Sequence, residues 1–133
     1  MPGRQNQDYS IGNHYVNLIT VNQAVNGTVN VTDQTNPVGA GIIVGINVTV
    51  ITTATLTVNI QGKDEMSGQY YTLLASAALA AVAFSTLTLY PGAVVTANVS
   101  ANGMLPNTYR LQAVLGGAAT QANATIGASI GII

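Results

Sequence analysis

Residues 44–60 read VGINVTVITTATLTVNI. Val44, Ile46, Val48 and Val50 recur at every second position, with Gly45, Asn47 and Thr49 between them. Leu56, Val58 and Ile60 repeat the pattern against Thr55, Thr57 and Asn59. Successive side chains of a strand point to opposite faces, so this period puts the apolar set on one face of a sheet. On a helix the same residues would be scattered around the axis. The stretch predicts half-buried β-structure.

Working outward, the alternation recurs on both sides. Residues 14–21 and 28–32 predict strands parted by the turn pair Asn26-Gly27. Beyond the turn at residues 62–68, residues 69–74 predict the return arm of a β-hairpin. Residues 75–83 are rich in alanine, which allows a short helix. Flanking strands favour an irregular crossover instead. Residues 84–90 predict a strand, with Leu87 and Leu89 opposite Thr86 and Thr88, closed by Pro91-Gly92. Residues 94–99, 108–115 and 122–130 complete the set, with turn signals at Asn102-Gly103 and Gly116-Gly117. Tyr109, Leu111, Ala113 and Leu115 share a face, and Ala124, Ile126, Ala128 and Ile130 point inward. Many short strands at regular spacing predict an all-β fold: an antiparallel two-sheet β-sandwich of jelly-roll or immunoglobulin-like type. The expected organisation is a polar arm over residues 1–13 and a single domain over residues 14–133.

Charged residues make up 5% of the chain, against roughly 25% in an ordinary soluble domain. They are Arg4, Asp8, Asp33, Lys63, Asp64, Glu65 and Arg110, with none between Glu65 and Arg110. So little charge gives weak colloidal protection. A solvent face of Thr, Asn, Ser and Gln answers that problem, and so does burial of the surface against partner chains. Three basic residues do not displace the counterions of a nucleic acid, and an anionic membrane is disfavoured for the same reason. The uncharged stretch 73–89 is broken by Ser and Thr, and its apolar core at residues 77–84 is too short to span a bilayer.

Catalytic chemistry finds no foothold. There is no cysteine. His14 is the only histidine, with no second histidine to share a metal or a proton. Asp64 and Glu65 are neighbours on a turn and do not form a convergent carboxylate pair. No Gly-X-Ser-X-Gly elbow occurs. The expectation is no enzyme activity, no cofactor and no metal. The Asn-X-Ser/Thr triplets at Asn26, Asn30, Asn47, Asn98 and Asn123 follow from a chain rich in Asn and Thr. Tyr70 or Tyr71 with Tyr90 or Tyr109 would form a sugar-binding platform only if they were exposed on one face.

Four pieces in order, Ile60-Gln61-Gly62-Lys63-Asp64, Ser67-Gly68-Gln69-Tyr70-Tyr71-Thr72-Leu73-Leu74, Tyr90-Pro91-Gly92 and Leu105-Pro106-Asn107-Thr108-Tyr109-Arg110, resemble a pattern in small virion proteins of tailed bacteriophages. There the pieces read IQGKD, SGKYYTLL, YPG and LPRTWR. The resemblance spans roughly residues 42–130. It departs at Gln69 and Asn107, where the pattern has Lys and Arg, so two positive charges are missing. What it implies is a head decoration or cement protein on the outer surface of a capsid. The implied partners are the major capsid protein and further copies of the chain, as a dimer or trimer. Expected contact residues are Arg4, Asp8 and Tyr9 of the arm, Lys63, Asp64 and Glu65 of the turn, and Arg110. A carbohydrate-binding or adhesion module and a tail or baseplate component are the alternatives.

Overall fold

The computed structural model describes the backbone of residues 14–23, 27–36 and 41–131, and the side chains of residues 27–36, 41–116 and 122–130. The expected arm, with Arg4, Asp8 and Tyr9, lies outside the described residues, as do the last two isoleucines.

Eight strands are described and no helix: β1 (His14–Gln23), β2 (Gly27–Asn30), β3 (Gln34–Thr35), β4 (Gly41–Lys63), β5 (Tyr70–Ala75), β6 (Ala83–Tyr90), β7 (Ser100–Asn102) and β8 (Thr108–Gly131). Two of them, β4 and β8, dominate. They pair antiparallel from Gly41↔Gly131 to Gly62↔Tyr109 and form a two-strand spine. The outer edge of β8 carries β1, β2 and β3 in turn. The outer edge of β4 carries β6 over residues 42–48 and β5 over residues 59–63. Between them the β5–β6 crossover closes on β4, where Leu56 and Leu79 exchange backbone hydrogen bonds of 2.9 and 2.8 Å. β7 joins β6 in parallel.

All the described strands thus belong to one hydrogen-bonded sheet, not to the two separate sheets expected. The sheet is open and strongly curled. Connectivity shows why it must curl. A straight 23-residue strand would span roughly 75 Å. Yet Asn102, level with the Gly41 end, is six residues from Thr108, level with the Lys63 end, a reach of at most about 21 Å. The spine therefore bends, and its two halves enclose one core.

The bend has a residue-level cause. The spine register shifts between Val48 and Val50 and again between Thr52 and Ala54. At the second shift Thr53 adopts φ 51°, a left-handed conformation that a β-branched residue resists. On either side the alternation holds. Ile42, Val44, Ile46 and Val48 are buried in the first half, and Leu56, Val58 and Ile60 in the second. They meet Tyr109, Leu111, Ala113 and Leu115 and then Ala124, Ile126, Ala128 and Ile130 from β8, in one contiguous cluster. Val50, expected inside, is partly exposed because the first shift turns it out. Residues 94–99 are not the strand expected. Asn98 takes φ 62°, and Val99 and Ser100 turn back to donate to the Thr96 carbonyl at 3.0 and 2.9 Å.

The strained bend yields a paired test. Thr53→Gly relieves a left-handed threonine, which offsets the entropy of the added glycine. Thr57→Gly, on extended backbone, gains no such relief. In urea unfolding, Thr53→Gly is expected to leave stability unchanged or raise it by up to about 1 kcal/mol, and Thr57→Gly to lower it by about 1 kcal/mol. Equal losses at both positions would contradict the bend.

Candidate functional site

The second half of the spine ends in the β4–β5 hairpin, whose turn spans residues 64–69. Asp64 builds that turn. Its backbone N–H donates to the Gln69 carbonyl, and its own carbonyl accepts from the Gly68 N–H, both at 2.8 Å. Its carboxylate accepts from the Ser67 backbone N–H at 3.2 Å and from the Ser67 hydroxyl. Gly68 supplies the positive φ of 78° that closes the loop. Glu65 reaches back to the start of β8, where its carboxylate accepts from Thr108 Oγ1 at 2.7 Å and Asn107 Nδ2 at 3.1 Å. The turn is thus braced from within and from the neighbouring strand. It holds Met66 out at 96% exposure.

Beside the turn, Lys63 Nζ lies 2.8 Å from Asp33 Oδ2. The Tyr70 hydroxyl donates to the other oxygen of Asp33. The Arg110 guanidinium stacks on the Tyr70 ring, 3.5 Å from its centroid, and Arg110 Nε donates to Gln61 Oε1 at 2.8 Å. An amide ladder continues across the outer face. Gln112 Nε2 donates to Asn30 at 3.0 Å, while Gln112 Oε1 accepts from Asn59 Nδ2 at 3.0 Å. At the edge of this cluster, Gly62 lets a ring and a turn close in. A Cβ there would sit 2.7 Å from Pro106 Cγ and from the Tyr71 ring.

Every charged residue among those described (Asp33, Lys63, Asp64, Glu65 and Arg110) therefore gathers at one end of the molecule. The structure brings Lys63, Asp64, Glu65 and Arg110 together at one end. It adds Asp33, Tyr70, Gln61, Asn107 and Thr108. Asn107, where the resembling pattern has Arg, is a neutral donor to Glu65. No group of three or more His, Cys, Asp or Glu side chains suited to a metal occurs among the described residues. Of the tyrosines considered for a platform, Tyr109 is fully buried and the Tyr70 ring is covered by Arg110, while Tyr71 is 45% exposed.

The titration of these groups follows from their partners. Hydrogen bonds from Lys63 and then Tyr70 hold the Asp33 carboxyl below its usual value. Ser67 does the same for Asp64, and Thr108 with Asn107 for Glu65. Asp33 raises Lys63 and Tyr70. Burial pushes the Tyr109 hydroxyl up to about 12, and that hydroxyl has no hydrogen-bond partner among the described residues. At 29% and 32% side-chain exposure the Lys63–Asp33 pair is well solvated. It contributes little to stability by itself.

On the opposite flank, a cleft of about 300 Å³ lies between β6 and the crossover, lined by Ser76, Leu79, Thr86, Asn98 and Val99 among others. None of its lining residues is charged.

No protein-family model matches the chain, and no curated protein sequence matches it. Among solved structures it is similar to PirA, with TM-score 0.49 and 17% identity over 90% of this chain and 92% of that one. It is also similar to chains in structures of infectious bursal disease virus. The Gx strain gives TM-score 0.49 and 13% identity, and the Gt strain 0.42 and 12%, each over 90% of this chain and 32% of the viral chain. The chain spans about a third of those viral chains. Likeness of this degree establishes neither a shared family nor a shared function.

Two outcomes follow from this geometry. Gly62→Ala forces the Pro106 and Tyr71 rings aside and is expected to cost about 1–3 kcal/mol in chemical unfolding; an unchanged midpoint would contradict the contact. The second concerns pH. The carboxyls are lowered on folding, so their contribution is complete above the unfolded values of 3.8 and 4.5. It is lost as pH falls through the folded values. Tyr109 and Tyr70 are raised from 10.0 and Lys63 from 10.5, so theirs is complete below 10.0 and lost as pH rises through the folded values, about 12 for Tyr109. Thermal unfolding across pH is expected to show a plateau between those limits and losses outside both.

Proposed function

We propose that this chain is a non-enzymatic structural protein of a virus particle, a decoration or cement protein of a tailed-phage capsid, seated on the shell through its charged end. One observation carries the reading. Three of the four pieces that resemble phage virion proteins meet at that end: the first two are the arms of one hairpin, and the fourth, Leu105–Arg110, joins them from a distant part of the sequence. Gly62 of the first lies against Tyr71 of the second and Pro106 of the fourth. Gln61 accepts from Arg110, and the intervening turn is tied to Asn107 and Thr108. Separate pieces of the pattern gathered at one end support a contact site there.

The physical form suits the role. A braced turn loses little conformational entropy on docking, so binding energy is not spent on ordering it. Met66 offers a flexible apolar anchor that fits an irregular hollow. Asp64 and Glu65 flank it, while Lys63 is neutralised by Asp33, so the tip is locally acidic. It complements a shell surface carrying Lys or Arg around an apolar depression. The major capsid protein is the partner this reading names, and the arm with Arg4, Asp8 and Tyr9 is its second point of attachment. A carbohydrate-binding or adhesion role has less support, because Tyr109 is buried and the Tyr70 ring is covered by Arg110; a place in the tail or baseplate is the other alternative.

The test mixes the protein with capsids that lack it and measures cosedimentation and shell survival on heating. Saturable binding and a more heat-resistant shell are expected. Met66→Asp should weaken binding by about tenfold or more while leaving the protein's own unfolding temperature unchanged. Absence of binding at saturating protein would sink the proposal and direct attention to glycans and tail proteins.

A further inference from the structure

The flank opposite the charged end has its own character. Ile43, Phe84, Val94, Val95, Val99 and Met104 are large apolar side chains left exposed on and beside β6, with Phe84 at 67% and Val94 at 82%. No charged residue lies between Glu65 and Arg110 to break the patch. Together these six present an apolar patch on the order of 500 Å², the size that on a monomer commonly marks an interaction surface.

Among the described residues, the edge of β6 away from β4 is also unpaired over residues 83–87. Thr88 N–H donates to the Val99 carbonyl at 2.9 Å, so Thr88 points its backbone groups away from β4. In an antiparallel pair the direction alternates along the strand, and the β4–β6 register is unbroken from Ile42↔Leu89 to Val48↔Ala83. Thr86 and Phe84 therefore also aim their N–H and C=O groups outward. β7 covers only residues 88–90, and the uncharged cleft lies beside the rest. Natural sheet edges are commonly protected by Lys, Pro, a bulge or a covering loop. β6 carries no Lys, Pro or bulge, and the loop residues Ser76, Leu79 and Asn98 stand across a cleft from it.

From the apolar area, the open edge and the missing charge, we infer that a second copy of this chain covers the β6 face. A twofold axis through Ser85 sets Phe84 of one copy opposite Thr86 of the other. Each such pair exchanges two backbone hydrogen bonds, so the edge is complementary to itself, as a twofold interface requires. An uncharged patch meeting its own copy leaves no charge buried without a partner. The inference is independent of the capsid reading and assigns the charged end and the β6 face to different neighbours.

The experiment is analytical ultracentrifugation of the full chain from low to high micromolar concentration, with circular dichroism as the folding control. The intact protein is expected to be a dimer. Phe84→Glu is expected to weaken self-association by about thirtyfold or more, as loss of a central aromatic anchor does. Thr86→Pro removes an edge N–H that has no intramolecular acceptor and is expected to dissociate the dimer while keeping the native spectrum. A monomer throughout the range, a trimer, or a dimer indifferent to both substitutions would overturn the inference. Capsid binding by a monomeric variant would show that the two sites act separately.

Discussion

The pairing of β4 with β8 is the constraint on which the rest depends. Nearly every other strand is attached to one of these two, and both halves of the core hang on their common register. A slip of one residue along the spine would put Ile46 and Leu56 of β4 on the face opposite Leu111 and Ile126 of β8, so that one set would turn out to water. The register is held by burial on one face and by the bend on the other. The Thr53 conformation localises the bend, and the curl it produces lets a single sheet enclose a core. A flat sheet of the same strands would leave its apolar face open.

The bend also divides the outer surface. On the second half the outward positions of β4 and β8 are Asn59, Gln61, Arg110 and Gln112, joined by hydrogen bonds. On the first half they include Ile43, Gly45 and Gly127, with the Phe84 ring beside Gly45, where a Cβ would lie 3.3 Å from it. A molecule with so few charges does not spread them evenly. It concentrates those described in one braced hairpin region and leaves a broad uncharged flank. Such segregation suits a protein held between unlike neighbours, where the polar end gives orientation and the apolar flank gives cohesion.

Much of this was legible in the sequence, for local reasons. The inward faces of residues 44–48, 56–60, 109–115 and 124–130 followed from alternation, which each short stretch carries by itself, although Val50 departs from it. The length of the spine did not. Gly116-Gly117 has the composition of a turn, yet the strand runs through it, because pairing with Thr55 and Ala54 carries it across the bend. Residues 94–99 carry strand-forming valines, but Thr96 folds back onto Ser100 and Asn98 is left-handed, so they form a turn. In the site, Lys63, Asp64 and Glu65 stood out as a charged turn. Asp33 did not, since it reaches Lys63 only because β3, β8 and β4 lie side by side. Gln61 and Tyr70 were hidden for the same reason: their roles are set by the strand register, not by their sequence neighbours.

The central claim is that the two halves of one bent sheet face different partners. It is tested most directly by cryo-electron microscopy of capsids decorated with this protein, at a resolution that places the β4–β5 hairpin. The account predicts the hairpin, with Met66 foremost, against the shell and β6 against a second copy. Ordered density with β6 on the shell and the charged hairpin in solvent would contradict it.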